Sequence, residues 1–151
     1  MRIELIHPMI IHFPIVLLIS LVFVDTIFVS RGDRLEAGSA VGNASAVLAL
    51  AAGVSAILAF MFGDQAYDVA VAAAKAPKDM LEIHQELGTF TAFAIAAWAA
   101  IRSGLWWKKV ALGKGLAFSI VGVEFALTAA ILATAWFGGE LVYSYGVAVA
   151  S

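Results

Sequence analysis

The sequence contains no cysteine. Disulfides, thiolate metal sites, iron–sulfur ligation and covalent haem attachment through a C-x-x-C-H run are therefore excluded. Charge is scarce as well: 13% of residues are Asp, Glu, Lys or Arg, and the formal net charge is −2. No basic patch stands out, which argues against a nucleic-acid partner. Proline occurs only at Pro8, Pro14 and Pro77, and histidine only at His7, His12 and His84. No nucleophile–base pair, phosphate loop or paired-carboxylate arrangement rises above background. A stand-alone enzyme is accordingly not the expectation.

Apolar residues fill the chain instead. Sixty-three per cent are hydrophobic, and the mean hydropathy of +0.98 belongs to an integral membrane protein. Four apolar stretches can span a hydrocarbon core of roughly 30 Å at about 1.5 Å per residue. They run from about Pro8 to Phe28, Ala40 to Phe62, Gly88 to Trp107 (with a helical extension back toward Pro77) and Leu116 to Phe137. Arg2 could serve as a small n-region, but Pro8, His12 and Pro14 interrupt the apolar stretch after it. No A-x-A-like site comes before Arg31, so the first segment is expected to stay as an anchor. The fold class expected is an all-α integral membrane protein, an antiparallel four-transmembrane-helix bundle in a single domain over residues 1–151.

Two connections are short: Ser30–Gly38, and the basic Lys108–Gly115. Gly63–Met80 is longer and alanine-rich, and could lie on the membrane surface as a separate helix before Pro77 restarts the chain. Short connections make sequential helices antiparallel. Arg31, Arg34, Arg102, Lys108, Lys109 and Lys114 then fall on one side, and Arg2, Lys75 and Lys78 on the other. This bias marks the first side as cytoplasmic and puts both termini outside. Trp106 and Trp107 suit an aromatic anchor at the cytoplasmic interface. The second segment pairs Gly42 with Ala46, Ala49 with Gly53, and Ala52 with Ala56. Small residues at this spacing let helices approach closely in lipid.

The topology brings all three histidines to one end, where ligating side chains at membrane depth tend to be functional. Pro8 suits a first helical turn. Pro14 removes the hydrogen bond to the Ile10 carbonyl and predicts a bend near His12. His84 precedes Gly88 by four residues, so the two share a helix face, and a glycine there leaves room for a flat macrocycle. Phe13, Phe62 and Phe90 read as apolar neighbours. Two histidines on facing helices can hold haem iron, or zinc or copper; zinc would need a third ligand from His7, Glu82 or Asp64. They can equally hydrogen-bond backbone freed by Pro14, or cap helix ends. The haem reading takes His12 and His84 as axial ligands, with His7 as a neighbour or alternative. Gly88 then lies beside the macrocycle, Arg2, Lys75 or Lys78 meets the propionates, and Tyr143 or Tyr145 hydrogen-bonds there.

Toward the other end, Asp25, Arg102 and Glu124 sit within apolar segments, Glu124 roughly 12 Å deep. An isolated carboxylate there would neutralise or find a partner. An ion pair that holds the bundle in register and a proton-accessible site are both compatible with this.

H-P-x-x-x-H-F-P at His7–Pro14, Phe62-Gly63-Asp64, His84, and the run Gly138-Gly139-Glu140-Leu141-Val142-Tyr143-Ser144-Tyr145-Gly146-Val147 together carry a resemblance over essentially the whole chain. The sequence resembles a bacterial family catalogued as domain of unknown function 2231, predicted four-helix membrane proteins. The resemblance implies a location in the bacterial inner membrane and redox company, because members are often joined to or near c-type cytochrome domains. In many relatives the position of Tyr145 looks like histidine. Tyrosine stands here, which removes a fourth histidine ligand.

The expected function is thus a membrane protein holding one b-type haem near the extracytoplasmic face, in or beside an electron-transfer chain, with c-type cytochromes or other redox proteins as partners. The rivals are a cofactor-free accessory subunit of a larger membrane complex and an outward-facing metal-binding protein.

Overall fold

The computed structural model describes residues 5–149 and is helical throughout, with no strand among them. Its elements are α1 (Ile6–Ile10), α2 (His12–Ser30), α3 (Ala40–Ala73), α4 (Lys78–Trp107) and α5 (Lys114–Tyr143). The break between α1 and α2 falls at Ile11, where the Pro14 ring leaves the Ile10 carbonyl without its donor. Where Pro14 predicts a bend, the structure shows a one-residue interruption at Ile11, which keeps helical backbone angles (φ −56°, ψ −24°), and the helix starts earlier than Pro8.

Two boundaries differ from the sequence reading. The alanine-rich run after Gly63 is not a separate surface helix, because α3, 34 residues in all, continues through it to Ala73 and stops at Ala74, which is left-handed at φ 51°. Nothing in Asp64–Ala73 opposes helix strongly enough to stop it. Likewise α5 runs through Gly138-Gly139 to Tyr143. Those glycines are held by packing, so their low propensity does not end the helix. At the start of α3 the Ser39 hydroxyl accepts from the Gly42 N–H at 2.9 Å and caps the first turn.

The four long helices pack in a ring: α2 against α3, α3 against α4, α4 against α5, and α5 against α2. His7 lies beside the later part of α3, and Asp25 beside its first turns. His84 likewise meets the end of α5, and Arg102 its beginning. Consecutive helices therefore run in opposite senses. The small-residue stripe of α3 is buried, including Ala46, Ala49, Ala52 and Ala56. A Cβ on Gly53 would collide with the Ala99 methyl of α4, so this close approach depends on glycine.

Three segments, Ile6–Ser30, Ala40–Ala73 and Lys114–Tyr143, are long and apolar enough to cross a membrane. In α4 the apolar run is interrupted by Thr89, Thr91, Trp98, Arg102 and Ser103. Large apolar side chains point outward from every long helix, among them Phe13, Phe23, Val47, Phe90, Phe125 and Trp136. Helices apolar all round belong in lipid. Inside, Leu18, Leu21, Ala49, Ala52, Ala56, Ala92, Ile95 and Ile131 form the central core. Smaller clusters lie at either end, one around Leu35, Leu112 and Ile120 and one of Ala70, Leu81 and Leu141.

Candidate functional site

Between the central core and the Ala70–Leu81–Leu141 cluster lies a cavity of about 530 Å³. That is within the roughly 300–1,000 Å³ usual for small-molecule and cofactor sites. Its walls are mostly apolar, and His7, His12 and His84 all contribute to them.

The rings that face each other are His7 and His84, with centroids 6.2 Å apart and planes at 71°. His12, on the far side of the Ile11 break, lines the same cavity but is exposed. The geometry thus pairs His84 with His7, where the sequence reading put His12.

Both rings are held in one way. His7 Nδ1 donates to the Ala59 carbonyl at 2.9 Å, and His84 Nδ1 to the Thr134 carbonyl at 3.2 Å. Inside a helix each such carbonyl already accepts from the N–H four residues on, and its second lone pair remains for the imidazole. The residues four positions on are Gly63 and Gly138. A Cβ on Gly63 would lie 2.8 Å from His7 Cε1, and one on Gly138 2.9 Å from His84 Cε1. Each glycine thus opens the path along which a ring reaches a carbonyl of the neighbouring helix. The hydrogen bond fixes the tautomer with Nδ1 protonated and Nε2 basic. Among the described residues no hydrogen bond engages either Nε2.

The remaining expected residues separate. Gly88 lines the cavity with space to spare, its nearest neighbour being Thr134 Cγ2 at 3.7 Å from a built Cβ. Close packing against the histidines falls to Gly63 and Gly138 instead. Tyr143 stands at the rim, 91% exposed, whereas Tyr145 is not part of the lining. Lys75 lies at the rim and donates to the Val149 carbonyl at 3.2 Å. Lys78 is turned toward Glu82 at 3.1 Å, whose carboxylate raises the lysine above its ordinary value. Arg2 lies outside the described residues. Phe13 and Phe90 point outward, Phe62 is not part of the lining, and the aromatic rings in the wall are Phe60 and Tyr67. The backbone acceptors at Ala59 and Thr134 were not foreseen. Their signal in the sequence is the pair of glycines, which read as helix ends and not as contacts.

Among the described residues no group of three or more His, Asp or Glu is placed to hold a metal ion. Of the third zinc ligands weighed from the sequence, His7 lines the cavity with His12 and His84. Glu82 pairs with Lys78, and Asp64 accepts from Gln85 at 3.2 Å.

At the other end of the bundle Asp25, Arg102 and Glu124 meet in full burial. Arg102 Nη2 lies 2.7 Å from Asp25 Oδ2, and its Nε lies 3.4 Å from Glu124 Oε1. Ser45 donates to Asp25 Oδ2 at 2.8 Å and also contacts Arg102 Nη2, and Trp98 donates to Glu124 Oε1 at 3.3 Å. Eighteen residues separate His7 from Asp25, and eighteen separate His84 from Arg102. At about 1.5 Å per residue the two polar sites are roughly 27 Å apart, close to a hydrocarbon thickness.

No curated protein and no solved structure matches the chain. Residues 4–151 match the family described as predicted membrane protein (DUF2231). With nearly the whole length matched, this helical, lipid-compatible chain belongs to the domain of unknown function 2231 family of predicted membrane proteins.

Proposed function

We propose that the protein is a b-type cytochrome-like electron carrier. It binds one haem between His7 and His84, with all four long helices crossing the bacterial inner membrane. The observation that carries this reading is the pair of carbonyl-anchored imidazoles with centroids 6.2 Å apart. Metal–imidazole bonds of about 2 Å on opposite sides of one iron put ring centroids about 6 Å apart. A bare divalent ion would need further ligands, and the described residues supply none. The apolar cavity of about 530 Å³ beside the rings suits a porphyrin. Lys75 and Tyr143 at its rim are the groups for the propionates. His12 would border the macrocycle without ligating it.

The bound haem would supply a one-electron couple. The protein's part is to fix both imidazoles and exclude water. Outward apolar residues of α4 such as Phe90, Phe93 and Ile101 support a fourth span. The Lys/Arg bias places the histidine end and both termini on the extracytoplasmic side, within reach of a soluble redox partner such as a c-type cytochrome.

The test is the absorption spectrum of the purified protein, reduced and oxidised. A low-spin bis-histidine spectrum is expected. His7→Ala and His84→Ala should each abolish it, and His12→Ala should keep it. A wild-type preparation reconstituted with haem that shows no Soret band would overturn the reading. Loss of the spectrum in His12→Ala and His84→Ala, with His7→Ala retaining it, would restore the other ligand pair.

A further inference from the structure

We propose that Asp25, Arg102 and Glu124 form a buried proton-binding site, in which a single proton is held on Glu124. This site does not depend on haem.

The balance of charge requires one proton. Two carboxyl groups and one guanidinium are sealed from solvent, with Asp25 and Glu124 at 0% exposure and Arg102 at 3%. Arginine stays protonated in proteins. With both carboxyls ionised, the cluster would carry an uncompensated negative charge at membrane depth, which lipid-embedded structures avoid.

The hydrogen bonds then choose between the two carboxyls. Asp25 Oδ2 takes the shortest ion pair, at 2.7 Å to Arg102 Nη2, and a second donor from Ser45 at 2.8 Å. Both favour an ionised Asp25. Glu124 has longer contacts, 3.4 Å to Arg102 Nε and 3.3 Å to Trp98 Nε1.

Among the described residues, three buried polar atoms of this cluster have no hydrogen-bond partner: Asp25 Oδ1, Glu124 Oε2 and Arg102 Nε. Buried atoms of this kind call for an explanation. Both carboxyl groups lie against the same guanidinium, Asp25 Oδ2 at Nη2 and Glu124 Oε1 at Nε. Two carboxylates can only accept, whereas a proton on Glu124 turns one acceptor into a donor. One proton thus balances the charge of the cluster and gives it a donor that two carboxylates lack.

The groups acting on Glu124 come from every neighbouring helix. Asp25 comes from α2 and Arg102 from α4, where Trp98 adds an indole N–H; α3 contributes only the Ser45 hydroxyl, through Asp25. A crevice lined by Gly42, Ala46, Arg102 and Trp106 reaches toward the cluster but is too narrow to admit water. The proton therefore exchanges only when the helices part.

The test is infrared spectroscopy of the full chain in detergent at neutral pH, in H2O and D2O. The wild type should show the C=O stretch of one protonated carboxyl. Glu124→Gln should remove it. Asp25→Asn should also remove it with Glu124 intact, because Glu124 then ionises to pair with Arg102. Arg102→Leu should double its intensity, since neither carboxylate keeps a cation. Absence of the band in the wild type would overturn the proposal whatever the variants do. A band that survives Glu124→Gln or Asp25→Asn would overturn the assignment of one shared proton.

Discussion

At the residue scale the unit that matters has three parts: an imidazole, a helix carbonyl and the glycine four residues beyond it. It occurs twice, as His7–Ala59–Gly63 and His84–Thr134–Gly138. Neither glycine is needed for backbone freedom, since both lie inside continuous helices. Their role is the volume they leave out. In Gly63→Ala or Gly138→Ala the new methyl group would meet the ring at 2.8 or 2.9 Å. Overpacking of this kind costs about 1–3 kcal/mol. The proposed ligand geometry should suffer more than the fold. Both variants are expected to keep their helix content, melt earlier in detergent, and lose the low-spin spectrum. Gly88→Ala, with 3.7 Å to its nearest neighbour, should melt as the wild type does. Equal melting temperatures for all three variants would remove the packing role argued for Gly63 and Gly138. The sequence showed the histidines and these glycines, but not that they touch, because the contacts bridge 52 and 50 residues along the chain.

At the element scale the break at Ile11 sets where His7 sits. Pro14 interrupts the hydrogen bonding between α1 and α2 at Ile11, and α1 packs on α3 with His7 against Ala59. Pro14→Ala restores the donor to the Ile10 carbonyl and favours one continuous helix. His7 should then swing away from Ala59, and the spectrum should fall toward five-coordinate haem while His84 stays bound. Absorption and electron paramagnetic resonance distinguish the two states. An unchanged six-coordinate spectrum would show that the interruption is not what positions His7. This interruption was legible because a proline acts on its own helix. The overrun of α3 was not. At about 1.5 Å per residue its 34 residues reach roughly 51 Å, well past the hydrocarbon, so that Ala66, Tyr67 and Ala70 wall the cavity. Hydropathy marks where the apolar run stops, which is not where the helix stops.

At the scale of the whole molecule the Asp25–Arg102–Glu124 cluster ties α2, α4 and α5 together, and Ser45 adds α3. Removing one member of a buried ion pair costs roughly 3–5 kcal/mol, because the other is left uncompensated. Arg102→Leu is expected to lower thermal stability in detergent by that order. Asp25→Leu combined with Arg102→Leu should cost less than the sum of the two single losses. Strictly additive losses would mean that the pair is not coupled. Orientation is decided at this scale too. A reporter active only in the cytoplasm, fused after Ser151, should be silent if the Lys/Arg bias holds. Strong activity would turn the histidine end inward.

The sequence by itself determined the class of molecule: apolar helices built for lipid, a proline interruption near the first histidines, and a family membership carried by short motifs spread along the whole length. All of these rest on composition and on interactions within a few residues of chain. Which histidine faces His84, which glycines give the rings room, and how one arginine is shared by two carboxyl groups were decided only by the tertiary structure. In a ring of four helices the partner of a side chain depends on rotation and axial offset between elements. Small differences in packing set both, and an all-round apolar sequence does not encode them locally.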